Sequence, residues 1–252
     1  MIEPKPKGHI LMVVVTHSRR LDFDVPLSLF EAVANLKMQG WDVGLAKHIG
    51  DADLAGARNM VFSQAYKGPF THLLFVDADV SWEPGSIERM LSWNVDLILG
   101  AYPKRADNAG YPVRTKPGVR NFVDPITREP RPDGLMLVDG GPTGLMLISR
   151  ACMDRMVNEY EDHWYEDARV PGRKAWNIFV FAVRNNKRVT EDMYFCERWR
   201  AMGGEVWVDP HLMLHHHGDK TYSGRFADFV AQVIEFEKKQ AETTVSMADL
   251  LT

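Results

Sequence analysis

The first hundred residues alternate short apolar runs with segments in which apolar residues recur at helical spacing. Residues 10–15 carry no polar position, the pattern of a strand buried on both faces. Residues 26–38 read as a helix, with Pro26 near its start and Gly40 past its end. A strand over 41–46 and a helix over 53–66 follow, the helix closed by Gly68 and Pro69. Leu73, Leu74, Phe75 and Val76 form a third apolar strand that stops abruptly at Asp77. Pro84 opens another helix, and 96–99 reads as a short strand. This alternation predicts an α/β fold: an open, mostly parallel twisted sheet flanked by helices, in a single domain.

The rhythm breaks over 102–134. Six prolines there (103, 112, 117, 125, 130 and 132) oppose a compact helix. The same stretch carries Lys104, Arg105, Arg114, Lys116, Arg120, Arg128 and Arg131. Long excursions of this kind are often functional. Regular structure resumes with a strand over 135–138, a turn at Gly140-Gly141-Pro142, a strand over 144–148 and a helix from Arg150. Residues 161–187 read as irregular and hold Trp164, Tyr165, Trp176, Phe179 and Phe181. Thr190 opens a helix to Met202, and 206–214 reads as one strand leading into His215-His216-His217-Gly218. Phe226, Phe229, Val230 and Val233 give the last helix one apolar stripe, with the final dozen residues expected to fray. No internal repeat occurs.

Bulk properties narrow the function classes. A chain of 252 residues can bury a sizeable core, and 45% hydrophobic with 25% charged residues is ordinary for a globular protein. A net charge of -4 argues against bulk nucleic-acid binding, though a local basic patch still suits phosphates. Cys152 and Cys196 are far apart without metal-like spacing, so a reduced, cytoplasmic protein is the simplest reading. No stretch reads as a signal peptide or reaches the ~20 apolar residues of a membrane span.

The chemistry concentrates at Asp77-Ala78-Asp79. Two carboxylates one residue apart at a strand end repel, and a proton or a divalent cation is the usual relief. Mg2+ and Mn2+ prefer oxygen ligands and bridge carboxylates to substrate phosphates. The alternative is a pair of solvated loop carboxylates. Strand alternation turns His216 one way and His215 and His217 the other, and an imidazole suits manganese; the competing reading is surface polarity. Glu191 and Asp192 sit in the first turn of a helix, where dipole complementarity and a general-base role weigh equally. Residues after the first strand of such sheets commonly meet a nucleotide, which singles out Thr16, His17 and Arg19. Arg58 and Asn59 lie on the second helix, where Arg58 equally fits a solvated face.

Taken together, Ala57-Arg58-Asn59, Phe75-Val76-Asp77-Ala78-Asp79, Gly100-Ala101-Tyr102-Pro103-Lys104, residues 141–148, Glu191-Asp192 and His216-His217-Gly218 resemble the GT-A glycosyltransferases, the nucleotide-sugar transferases of the family-2-like group. The resemblance runs from Thr16 to Gly218 and implies a GT-A-like open sheet. It implies a nucleotide-sugar-binding half over about 9–100, an acceptor-binding half over about 101–218, and a C-terminal helix and tail over 219–252. By position it makes Asp79 a metal ligand, with His216 as the histidine of the family's H-x-G pattern. Asp77 becomes a contact to the donor ribose or to a metal-bound water. Asp192 matches the base of inverting members, with Glu191 as the alternative. The donor site would include Thr16, His17, Arg19, Asp51, Arg58, Asn59, Asp77, Ala78, Lys104, Thr143 and Gly144. Implied partners are a UDP-linked or other nucleoside-diphosphate sugar and a glycan or other hydroxyl acceptor, with Mn2+ or Mg2+ as cofactor. Pro142 and the basic excursion depart from the family's acceptor side. Two rivals stay open: a haloacid-dehalogenase-like phosphatase, whose apolar strand also ends in D-x-D, and an inactive relative that only binds nucleotide or glycan.

Overall fold

The computed structural model describes residues 6–107, 110–116, 119, 121–167 and 170–249. The run at 10–15 becomes β1 (His9–Thr16). Its Leu11, Val13 and Val15 enter one hydrophobic core, and its Ile10, Met12 and Val14 enter another on the opposite face. That two-sided burial, at roughly 1.5–3 kcal/mol per large side chain, explains the absence of alternation. Helix α1 (Asp24–Met38) follows, with Pro26 in its first turn. It ends where Gly40 takes φ +86°; the Trp41 amide donates to the Leu36 carbonyl and the Gly40 amide to Lys37. This left-handed glycine closure satisfies two orphan carbonyls.

The strand-helix alternation continues through β2 (Asp42–Ile49), α2 (Leu54–Lys67) and β3 (His72–Asp77). Then come β4 (Val80–Trp82), α3 (Ser86–Ser92) and β5 (Leu97–Gly100). The proline-rich excursion contributes β6 (Arg114–Thr115) and a bridge from Val123 to Pro130 and Leu135. Two strands follow, β7 (Met136–Gly140) and β8 (Leu145–Ser149), and then α4 (Arg150–Glu159), whose Cys152 amide donates to the Ser149 hydroxyl at 3.1 Å.

Two hairpins occupy the stretch expected to be irregular: β9 (Trp164–Glu166) with β10 (Lys174–Trp176), and β11 (Ala182–Arg184) with β12 (Lys187–Val189). Asn185 and Asn186 take φ of 50° and 60°, the two-residue turn that matches strand twist. The chain closes with α5 (Glu191–Ala201), β13 (Val206–Asp209), β14 (Leu214–His217), β15 (Thr221–Gly224) and α6 (Phe226–Asp249). The single strand expected over 206–214 is thus two strands in different sheets, because Pro210 lacks the amide a continuous ladder needs. Helix α6 runs to Asp249, and the end of the tail expected to fray, residues 250–252, lies outside the described residues.

The central sheet has the order β2-β1-β3-β8-β5-β13-β7-β6. Its strands run in one direction except β7 and β8, which oppose their neighbours. Helices α1 and α3 cover one face; α2, α4, α5 and the start of α6 cover the other. A small antiparallel sheet, β15-β14-β4, stands beside the carboxyl end of β3.

Candidate functional site

Asp77 is the last residue of β3, and Ala78 and Asp79 form the turn that joins it to β4. The backbone holds this turn firmly. The Asp77 amide donates to the Gly144 carbonyl at 2.9 Å, and the His217 amide donates to the Asp79 carbonyl at 2.8 Å. A cleft of about 790 Å³ opens above, lined by Thr16, His17, Asp77, Ala78, Asp79 and His216 among others. It lies at the carboxyl ends of β1 and β3, where ligands of open α/β sheets gather.

Antiparallel pairing of β14 with β4 places His216 opposite Val80, one residue beyond Asp79. His216 Nδ1 donates to the Pro103 carbonyl at 2.8 Å, because a carbonyl can only accept. The lone pair therefore sits on Nε2, which is 3.8 Å from Asp79 Oδ2. Burial lowers the His216 pKa and keeps the ring neutral, the form a metal requires. Asp79, the oriented His216 imidazole and Asp77 nearby are the residues that could hold a divalent cation here, which would supply Lewis-acid chemistry.

His217 turns the other way, as strand alternation requires. Its ligand atom groups with those of Asp22 and Asp24 within 4.8 Å, a second set able to hold a metal ion. His217 is nearly fully buried, with Nε2 2.8 Å from the Ser81 hydroxyl and Nδ1 3.1 Å from that of Thr221. His215 pairs with Ser223 and Glu83.

The helix start at Thr190 separates the two acids. Glu191 is buried and bound to the Arg58 guanidinium, which also reaches Asp77 Oδ1 at 3.3 Å. Burial raises the pKa of Glu191 and of Asp77, with Arg58 opposing the rise in both. Asp192 is half-buried, and its Oδ1 accepts from the Thr190 hydroxyl and the Met193 amide. Its charge acts on Asp77, Tyr102 and Arg58, so it lies near the acidic end of the cleft without lining it. Tyr102 stays a neutral phenol, its pKa pushed far up by burial and by Asp77.

Several expected contacts lie elsewhere. Asn59 is 2% exposed, and its amide is spent on the segment after β10, accepting from Ile178 and Phe179 and donating to Asn177 and Phe179. Arg58 is likewise only 5% exposed, so it is not a solvated helix face; Glu191 and Asp77 hold its guanidinium. Arg19 lines an apolar groove against α1 and β2, and Arg20 takes its place in the cleft. Asp51 meets His48 and the Asp53 amide, while its carbonyl faces His17. Lys104 lines a separate depression with Tyr111 and Asp228. Thr143 is buried beneath, and a Cβ on Gly144 would run into the Tyr102 hydroxyl and lie 2.6 Å from Asp77 Oδ2. Only glycine fits there. Tyr102, Arg105, Asp22 and His217 also line the cleft. Arg105 is visible as one charge in the basic excursion, and Tyr102 and His217 stand inside motifs quoted from the sequence; Asp22 gives no local signal. Both cysteines are buried and free, with the Cys196 thiol pushed up to about 12, which suits packing and not nucleophilic attack.

Histidine burial has a consequence for stability. His72, His211 and His216 all have pKa values lowered by burial from the ordinary 6.5. Between their folded values and 6.5 the unfolded chain binds more protons, so stability present above that pH is lost as pH falls. Thermal unfolding is expected to show a lower Tm at about pH 5.5 than at about pH 7.5. An unchanged or higher Tm at the acid value would contradict this.

No protein-family model matches the sequence, and no curated protein does. Among solved structures, A197 from STIV aligns with a TM-score of 0.52 and 14% identity, over 86% of this chain and 90% of that one. The catalytic domain of Drosophila beta1,4galactosyltransferase 7 in complex with xylobiose aligns with a TM-score of 0.40 and 14% identity, over 85% and 67% of the two chains. The S. aureus TarS 1-349 structure aligns at 0.43 and 11%, over 86% of this chain and 59% of that one. Of these three, the first establishes a shared fold. The architecture is one α/β domain around a large sheet whose strands mostly run parallel. Among the described residues no helix is long and apolar enough to cross a membrane.

Proposed function

We propose that this GT-A-like domain is a metal-dependent glycosyltransferase that moves a sugar from a nucleoside diphosphate, preferably UDP, to a hydroxyl acceptor such as a glycan, with inversion. The observation that supports it most is the convergence of Asp79, the His216 Nε2 lone pair and Asp77 on one cleft at the carboxyl ends of the sheet. In this reading residues 9–100 hold the donor and 101–218 the acceptor.

Asp79 and His216 hold the divalent ion, which when bound neutralises the leaving diphosphate as a Lewis acid. Thr16 and His17 sit where the nucleoside lies, with Asp51 behind His17. Asp77, anchored by Arg58, orients the ribose or a water. Asp192 accepts the acceptor's proton on the face opposite the leaving group, so the anomeric centre inverts. Glu191 is a positioning residue in this scheme, since Arg58 already holds it.

A thermal-shift panel with UDP, GDP and TDP, each with and without Mn2+, tests the reading. Ligand at one hundred times its Kd stabilises by about 2.7 kcal/mol, which raises Tm by several degrees in a domain of this size. Asp79→Ala is expected to keep the unliganded Tm, since it relieves repulsion without opening a core cavity, and to lose the manganese-dependent shift. No shift with any of the three nucleotides would sink the proposal. Phosphate release from simple phosphate esters would favour the phosphatase, and nucleotide binding without sugar transfer the inactive relative.

A further inference from the structure

The geometry points to Arg105 as a tethered cation that occupies Asp79 until the donor diphosphate arrives; this rests on the donor reading above. Arg105 Nη1 lies 2.9 Å from Asp79 Oδ2, the same oxygen that faces His216 Nε2 at 3.8 Å. A second contact, 3.4 Å to the His217 carbonyl, holds the guanidinium at the rim of the cleft. Its stem rests on Gly218, where a Cβ would stand 3.0 Å from Arg105 Cδ. Two residues earlier, the Pro103 carbonyl fixes the His216 tautomer. One short segment therefore orients the imidazole and supplies the competing charge.

The pair is built to exchange. The Arg105 side chain is 51% exposed and that of Asp79 32%, so water screens the attraction and the bond contributes little. A guanidinium and a divalent ion repel each other and cannot both approach Oδ2, so metal entry displaces Arg105. A diphosphate offers the displaced fork a bidentate anionic partner in the same cleft. Metal binding and diphosphate binding are then coupled, and the coupling is reciprocal. Metal alone binds weakly; metal with diphosphate binds well.

The test titrates MnCl2 alone into the full chain and into Arg105→Gln, reading free Mn2+ by electron paramagnetic resonance, and then repeats the titration with UDP. Removing the competitor is expected to tighten Mn2+ binding by roughly fivefold, the scale of a half-exposed ion pair. With UDP present the order reverses, and the variant binds the nucleotide about tenfold more weakly because it has lost a charge-assisted fork. Arg105→Lys, which keeps charge without the fork, falls between the two. Unchanged or weaker Mn2+ binding by Arg105→Gln overturns the proposal. Tighter Mn2+ binding with no UDP binding by either protein keeps the competition at Asp79 and removes the donor reading, together with the diphosphate half of this inference. The Tm of the variant serves as the folding control, because a half-exposed side chain leaves no core cavity.

Discussion

Asp192→Asn is expected to lower turnover by ~10²–10⁴-fold while the nucleotide with manganese stabilises the fold as before. Asparagine keeps the oxygen that accepts from the Thr190 hydroxyl and the Met193 amide, so the helix start is preserved. What it loses is the ability to accept a proton. Both of those bonds fall on Oδ1, so in the proposed scheme Oδ2 is the oxygen that would meet the acceptor hydroxyl. A residue that only complements the helix dipole would behave differently. Its loss would cost about 0.3–1 kcal/mol of stability and leave turnover near normal. Steady-state kinetics and the anomeric configuration of the product decide between them. Near-normal turnover, or a product that retains the donor configuration, defeats the assignment.

Arg58→Met is expected to destabilise the fold by about 3–5 kcal/mol, the range seen when one partner of a buried ion pair is removed. The Arg58 and Glu191 side chains are 6% and 8% exposed, and the same guanidinium reaches Asp77. Burial works against the Arg58 charge, yet Asp77 and Glu191 more than offset it and raise its pKa. Methionine fills much of the volume but strands two carboxylates. Urea denaturation measures the loss, and Glu191→Gln added to Arg58→Met should recover part of it because one stranded charge is gone. A change below about 1 kcal/mol would mean that water already screens the cluster.

The contrast between these two residues shows what a local pattern can carry. The strands β1 and β3, the glycine closure of α1 and the abrupt stop at Asp77 are written within a dozen residues each, and all were legible. Alternation also turned His216 away from His215 and His217 without any knowledge of the partner strand. The burial of Arg58 is not written locally, because its partner lies 133 residues away and nothing in helix periodicity marks a buried cation. The same holds for Asn59, since its partners come from a segment nearly 120 residues on. Pro210 escapes notice because apolar runs stand on both sides of Asp209-Pro210-His211, although its missing amide ends the ladder. The turn at Asn185 and Asn186 was a readable signal that the surrounding aromatics concealed.

Strand β8 sits between β3 and β5, pairing antiparallel with both. The sheet therefore stitches a piece of the later half of the chain through the middle of the earlier one. A polypeptide cut near residue 100 would leave β3 and β5 with bare ladder edges flanked by Leu74, Phe75, Ile98 and Leu99, an invitation to aggregate. Supplying the remainder as a separate polypeptide restores the missing strand. N-terminal and C-terminal pieces exchanged between related chains would accordingly have to bring their own β8, so recombination within this scaffold is constrained to swaps of whole loops.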